Sequence, residues 1–113
     1  MSDRQGEVWW GPAPHKTDPA YRPWLIVSGD AHPFSAVECL VVGMTTTEHP
    51  DGIAVTDGDW IRGGSDVAAY VSPWYATTIK YRDFDDQQGE LAPGVVRKTV
   101  DALHRYTPRP TEV

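Results

Sequence analysis

The chain has a single cysteine, Cys39, and no asparagine in its 113 residues. One thiol excludes an intramolecular disulfide framework and any zinc site built from several cysteines. Long hydrophobic runs are also missing. The longest, residues 37–44, is broken by Glu38 and falls far short of the ~18 apolar residues a membrane span needs. The opening MSDRQGEVWW has no apolar core of the secretory-signal kind, so a cytoplasmic protein with no membrane association is expected. Lysine is scarce, three against seven arginines, and acids outnumber bases sixteen to ten. The resulting net charge of −6 argues against the simplest nucleic-acid binder, a basic stripe on a basic protein.

Several chemistries lack their residues. His15, His32, His49 and His104 show no metal-ligand spacing, and DGDW at residues 57–60 lacks the other ligands of a calcium loop, so no metal is expected. The glycines form neither a dinucleotide fingerprint nor a phosphate loop, and no nucleotide cofactor is expected either. Ser28 lacks the G-x-S-x-G frame of a nucleophile elbow. Cys39 sits in an apolar strand and reads as an inert core thiol.

What is present suits one small domain spanning residues 1–113. Hydrophobic residues make up 40 % of the chain and aromatics number twelve, enough for a single core. The charge is unevenly placed. Between Asp30 and Asp66 seven acids face only Arg62, an excess that equals the whole net charge. The remainder is balanced, and residues 97–109 carry four bases against Asp101, which leaves room for a locally basic surface.

Short apolar runs separated by glycine and proline predict five or six strands. They cover residues 7–10, 24–28, 37–47, 53–55, 68–72 and 75–80. Residues 24–28, WLIVS, are apolar on both faces and should be central. Gly43 marks a bulge or bend inside the longest run. Residues 11–22 and 82–94 read as loops. The period then changes: Val96, Val100 and Leu103 fall on one helical face, Pro93 suits the first turn, Arg105 the last, and Pro108 stops the helix. Many short strands and one terminal helix imply a strongly bent sheet or barrel.

Three blocks occur in a telling order. They are Gln5-Gly6-Glu7-Val8-Trp9, Arg22-Pro23-Trp24-Leu25-Ile26-Val27-Ser28 and Leu40-Val41-Val42-Gly43-Met44-Thr45-Thr46, followed by Gly89-Glu90-Leu91 and the helix. In content and sequence these resemble the MazF/PemK family of toxin–antitoxin ribonucleases over nearly the whole chain. The resemblance implies a mainly β fold, a small SH3-like barrel of the CcdB/PemK type with five to six strands and a C-terminal α-helix, assembled as a homodimer. It implies cleavage of single-stranded RNA without metal or cofactor, and neutralisation by a cognate antitoxin. It places catalytic roles on Arg22, Thr45 and His15; Lys16, Thr46 and Trp74 are candidates for contacts with the RNA. Trp10 and Trp24 are further candidates for stacking on bases.

The residue types fit such chemistry. The neighbouring 2′-hydroxyl can serve as nucleophile, so the protein supplies charge stabilisation and proton transfer. A guanidinium grips two phosphate oxygens at once. A threonine hydroxyl can bond the phosphate, and an imidazole can move the proton. The stretch SPWYATTIK, residues 72–80, departs from the family pattern, because it lacks an acidic residue and an arginine that many relatives carry there. That departure keeps a second expectation open: a non-catalytic barrel that binds a protein target or an antitoxin.

Overall fold

The computed structural model describes residues 4–13 and 20–111. Seven strands and one helix follow in order: β1 (Glu7–Pro12), β2 (Tyr21–Ile26), β3 (Glu38–Thr45), β4 (Ile53–Val55), β5 (Trp60–Gly63), β6 (Ala69–Lys80), β7 (Gln87–Leu91) and α1 (Pro93–Tyr106). All seven strands join in one sheet of order β4-β6-β3-β2-β1-β7-β5, with every pairing antiparallel. The sheet curls into a half-barrel, mainly β with a C-terminal helix, as expected, although it has more strands than five or six.

The extra strands lie where the sequence is polar. WIRG of β5 and QQGEL of β7 carry no apolar alternation, and both stretches read as turns or loop. They exist because they pair with each other. Gly89 lets the strands close up, since a Cβ there would meet the Trp60 ring at 2.8 Å, and Arg62 spans the pair to Glu90 at 2.7 Å. The opposite correction applies at Pro73. Residues 68–72 and 75–80 are not two strands but one, β6, and the proline sits in a bulge where Val42 pairs with Ala76 and Gly43 with Ser72. A bulge leaves its extra residues out of the ladder, so the missing proline N–H costs no hydrogen bond.

β2 is central, as its composition predicts, and its alternation feeds two clusters rather than one. Leu25 joins Val8, Val42, Met44, Val71 and Leu91 on the face covered by α1, through Val95 and Val96. Trp24 and Ile26 join Cys39, Val41 and Ile79 on the other face, with Trp9, Tyr75, Tyr81 and Phe84 packed around them. The expectation of a single core is thus corrected. Both faces of the middle strands need cover, and aromatic rings supply on one side what the helix supplies on the other.

α1 begins at Pro93, whose fixed φ and absent N–H suit the first turn, and carries His104 and Arg105 in its last turn. Val95, Val96, Thr99 and Ala102 are its buried residues, and Val100 and Leu103 pack partly buried against the same cluster. Buried Thr99 resolves its hydroxyl by donating to the Val95 carbonyl at 2.9 Å. Among the described residues, no helix is long and apolar enough to cross a membrane.

Candidate active site

Arg22 does not lie in a loop before its strand. It is the second residue of β2, opposite Gly11 of β1, and Pro23 follows it inside the ladder opposite Trp10. β2 pairs with β3 only from Trp24 onward. Among the described residues Pro23 is therefore paired on the β1 side alone, which is where a proline can stand in a strand. β3 ends at Thr45, opposite Tyr70 of β6, and Thr46 begins the bend that follows.

These strand ends converge on a pocket of about 290 Å3. Its lining includes Arg22, Thr45, Thr46, Trp10, Tyr21 and Gln88, with Ser65, Val67, Ala68 and Ala69 in its wall. Among the described residues, Arg22 is the one charged residue in that lining. On a chain of net charge −6 the pocket is thus locally cationic.

Several contacts hold the guanidinium. Its Cζ lies 4.9 Å from the centre of the Tyr75 ring and 6.0 Å from that of Trp24. Stacking on aromatic faces orients the planar group without neutralising it. Among the described residues no carboxylate lies within ion-pair distance of Arg22 and its buried Nε has no hydrogen-bond partner. Gly43 makes the space, because a Cβ there would stand 2.7 Å from the Tyr75 ring and 3.2 Å from Arg22 Nη1. The bulge or bend expected at Gly43 is there as a register shift between Val42 and Gly43, with its extra residues on the facing strand β6, and the glycine is also needed for this close approach.

Thr45 is similarly prepared. Its Oγ1 accepts a hydrogen bond from the Thr47 N–H at 3.1 Å, which fixes the oxygen and leaves the hydroxyl proton to be donated. An arginine without a counter-ion beside two hydroxyl side chains is an arrangement that binds and polarises a tetrahedral anion.

The structure thus brings together Arg22, Thr45 and Thr46. His15 and Lys16 lie outside the described residues. Trp74 is outside the pocket lining, half-exposed in the β6 bulge with its ring 4.7 Å from that of His49. Trp24 is fully buried, with its indole N–H donating to the Pro12 carbonyl at 3.2 Å, and is closed to base stacking. Trp10 is partly exposed at the pocket. Tyr75 and Gln88 were missed from sequence. Tyr75 reads as an ordinary strand aromatic, and Gln88 lies in a stretch that reads as loop.

Cys39 is not part of this site. It is wholly buried, its thiol reaches the Ile79 carbonyl at 3.6 Å, and burial pushes its pKa up to about 12. That keeps it protonated and unreactive. Burial likewise raises the Tyr81 phenol, with the Cys39 neighbour adding to the effect.

No protein-family sequence model matches the chain, and a search of curated proteins finds no match. Solved structures do match it. An endoribonuclease from Mycobacterial species, in complex with its cognate antitoxin, is 25 % identical with a TM-score of 0.69, covering 94 % of this chain and 95 % of that one. The Mycobacterium tuberculosis toxin MazF-mt6 is 19 % identical with a TM-score of 0.69, covering 89 % and 95 %. MazF from Deinococcus radiodurans is 16 % identical with a TM-score of 0.71, covering 95 % and 96 %. At these lower identities the likeness is one of fold.

Proposed function

We propose that this chain, whose described residues carry the fold of the MazF endoribonuclease toxins, is a single-domain cytoplasmic toxin of the MazF/PemK family that cleaves single-stranded RNA and is neutralised by an antitoxin. The observation that carries this reading is the pocket where Arg22, free of any counter-ion among the described residues, meets Thr45 and Thr46. The alternative of a non-catalytic barrel has no comparable support, because solved structures that match the chain are named endoribonucleases.

The reaction asks for no group that the chain lacks. The 2′-oxygen attacks the adjacent phosphorus, the bond from phosphorus to the 5′-oxygen breaks, and a 2′,3′-cyclic phosphate and a free 5′-hydroxyl result. One proton leaves the 2′-hydroxyl and one reaches the departing 5′-oxygen. Arg22 binds the non-bridging oxygens, whose charge grows in the transition state. Thr45 donates its hydroxyl proton to the same phosphate. His15 is the proposed proton carrier, because an imidazole is the side-chain type that can both take up and give back a proton near neutral pH. Lys16 and Thr46 contact the RNA backbone, and Trp74 offers a half-exposed ring to a flanking base. Homodimerisation completes the proposal.

The test is cleavage of single-stranded RNA by purified protein in the presence of a chelator, at low and high salt. Cleavage by wild type, with a loss of about 100-fold or more in Arg22→Ala, is expected. RNA left intact by the wild type at both salt concentrations would overturn the enzyme reading. The acidic stretch between Asp30 and Asp66 makes the rate salt-dependent, because screening relieves its repulsion of RNA.

A further inference from the structure

Two buried side-chain polar atoms lack a hydrogen-bond partner among the described residues, and both belong to residues of the same pocket: Arg22 Nε and Gln88 Oε1. The first lies on the residue assigned to the phosphate. The second has no part in the cleavage chemistry.

Gln88 is placed with care. In the pairing of β1 with β7, Val8 stands opposite Gly89 and Trp9 opposite Gln87, so Gln88 is the extra residue of a β-bulge. Bulges of this kind turn a side chain away from the regular alternation of the strand. The backbone there is clamped from the other side. Gly63 has φ +68°, and a Cβ on it would run into the Gln88 carbonyl and the Gly89 Cα. The carboxamide itself is oriented by its Nε2, which donates to the Gly64 carbonyl at 3.1 Å. With the nitrogen committed, Oε1 is left as a fixed acceptor. A buried acceptor without a donor costs ~1–3 kcal/mol, a cost that a ligand presenting an N–H removes.

We infer that Gln88 is a specificity-determining residue of this pocket, its Oε1 accepting a hydrogen bond from the exocyclic amine of a nucleobase beside the phosphate held by Arg22. The inference rests on the nuclease reading above. The neighbours of Gln88 suit a base. Trp10 and Tyr21 offer exposed aromatic surface at the pocket, on which a base can stack. The volume, about 290 Å3, lies at the lower end of small-ligand sites and suits one planar ring system. An acceptor discriminates among bases. Adenine, cytosine and guanine project an amine from their edges. Uracil presents a ring N–H flanked by two carbonyl oxygens, which would face the glutamine oxygen and repel it. A site whose buried polar atom is satisfied by one partner rejects the analogue that lacks it.

The experiment is a set of single-stranded RNA oligonucleotides differing at the bases around the cleaved bond, given to wild type and to Gln88→Leu. A thermal melt of each protein establishes that both are folded. Wild type should cleave fastest with an amine-bearing base at one position. Replacing that amine by hydrogen in the RNA (purine for adenine, inosine for guanine, 2-pyrimidinone for cytosine) should lower its kcat/KM about 10- to 100-fold. Gln88→Leu should cleave the amine-bearing and amine-free RNAs at equal rates, so that the two deletions do not add. If wild type cleaves RNA but is indifferent to the amine, or prefers uracil at every position, the inference falls and the nuclease reading stands. It falls equally if folded Gln88→Leu keeps the wild-type base preference. If wild type cleaves no RNA, both fall together.

Discussion

Replacing Gly43 by alanine should disable the site without replacing any residue assigned to RNA. The new Cβ would stand 2.7 Å from Tyr75 Cδ2 and 3.2 Å from Arg22 Nη1. Ordinary carbon contacts lie at ~3.5–4.0 Å, so the ring must retreat by about 1 Å. The backbone at Gly43 cannot give way, because it pairs with Trp24 on one side and Ser72 on the other. The ring that moves is the one on which the Arg22 guanidinium rests, at 4.9 Å. Overpacking of this kind costs ~1–3 kcal/mol. For a chain of this size that is a fall in Tm of about 4 °C per kcal/mol. Displacement of a catalytic group by ~1 Å is enough for a loss of about 100-fold in rate. The assay is kcat/KM on single-stranded RNA together with a thermal melt. In an Arg22→Ala background the glycine substitution should cause little further loss, because its effect runs through the arginine. Wild-type kcat/KM in Gly43→Ala, whether or not the Tm falls, would refute the argument that this packing positions Arg22.

Thr45→Ala should lower kcat/KM by about 10- to 100-fold, and Thr45→Ser, which keeps the hydroxyl and its bond from the Thr47 N–H, should restore most of it; equal activity in both variants would remove the hydroxyl from the reaction. Cys39 should resist alkylation in the native protein at pH 8 and react on unfolding, since burial holds its thiol up to about 12. The same group sets an alkaline limit. The unfolded chain releases this proton near pH ~8.5 while the folded chain retains it, so stability is intact below that value and declines as pH rises from there towards 12. Melts of wild type and Cys39→Ala across that window should show a steeper decline in the wild type, and parallel curves would contradict it.

Much of this was legible in the chain because it depends on local chemistry. WLIVS is apolar on both faces, and its Trp24, Leu25 and Ile26 became the buried part of the central strand β2. Pro93 and the 3.6-residue spacing of Val96, Val100 and Leu103 fixed α1. Arg22 and Thr45 were singled out by their place in ordered blocks, and the structure puts them in one pocket. β5 and β7 were not legible. Their residues have no hydrophobic alternation, and each is a strand because the other lies beside it. Gln88 was hidden for the same reason, because a bulge is defined by the register of two strands and not by either sequence.

The charge of the chain shows the same division. Composition determined that the protein is acidic, that one thiol leaves no room for disulfides or cysteine-rich metal sites, and that a bent sheet with a terminal helix must form. Those follow from residue types and their spacing along the chain. Whether an acidic protein can receive a phosphate was decided only by folding. Coulomb energies depend on distance and on screening within about 10 Å, not on the total. Antiparallel pairing carried Arg22 to a pocket in which no acid among the described residues lines the wall, with Tyr75 beneath it, Gly43 making room and Gln88 displaced from the strand alternation by a bulge. Arg22, Gly43 and Tyr75, far apart in sequence, became neighbours there, and only tertiary structure can bring about such a meeting.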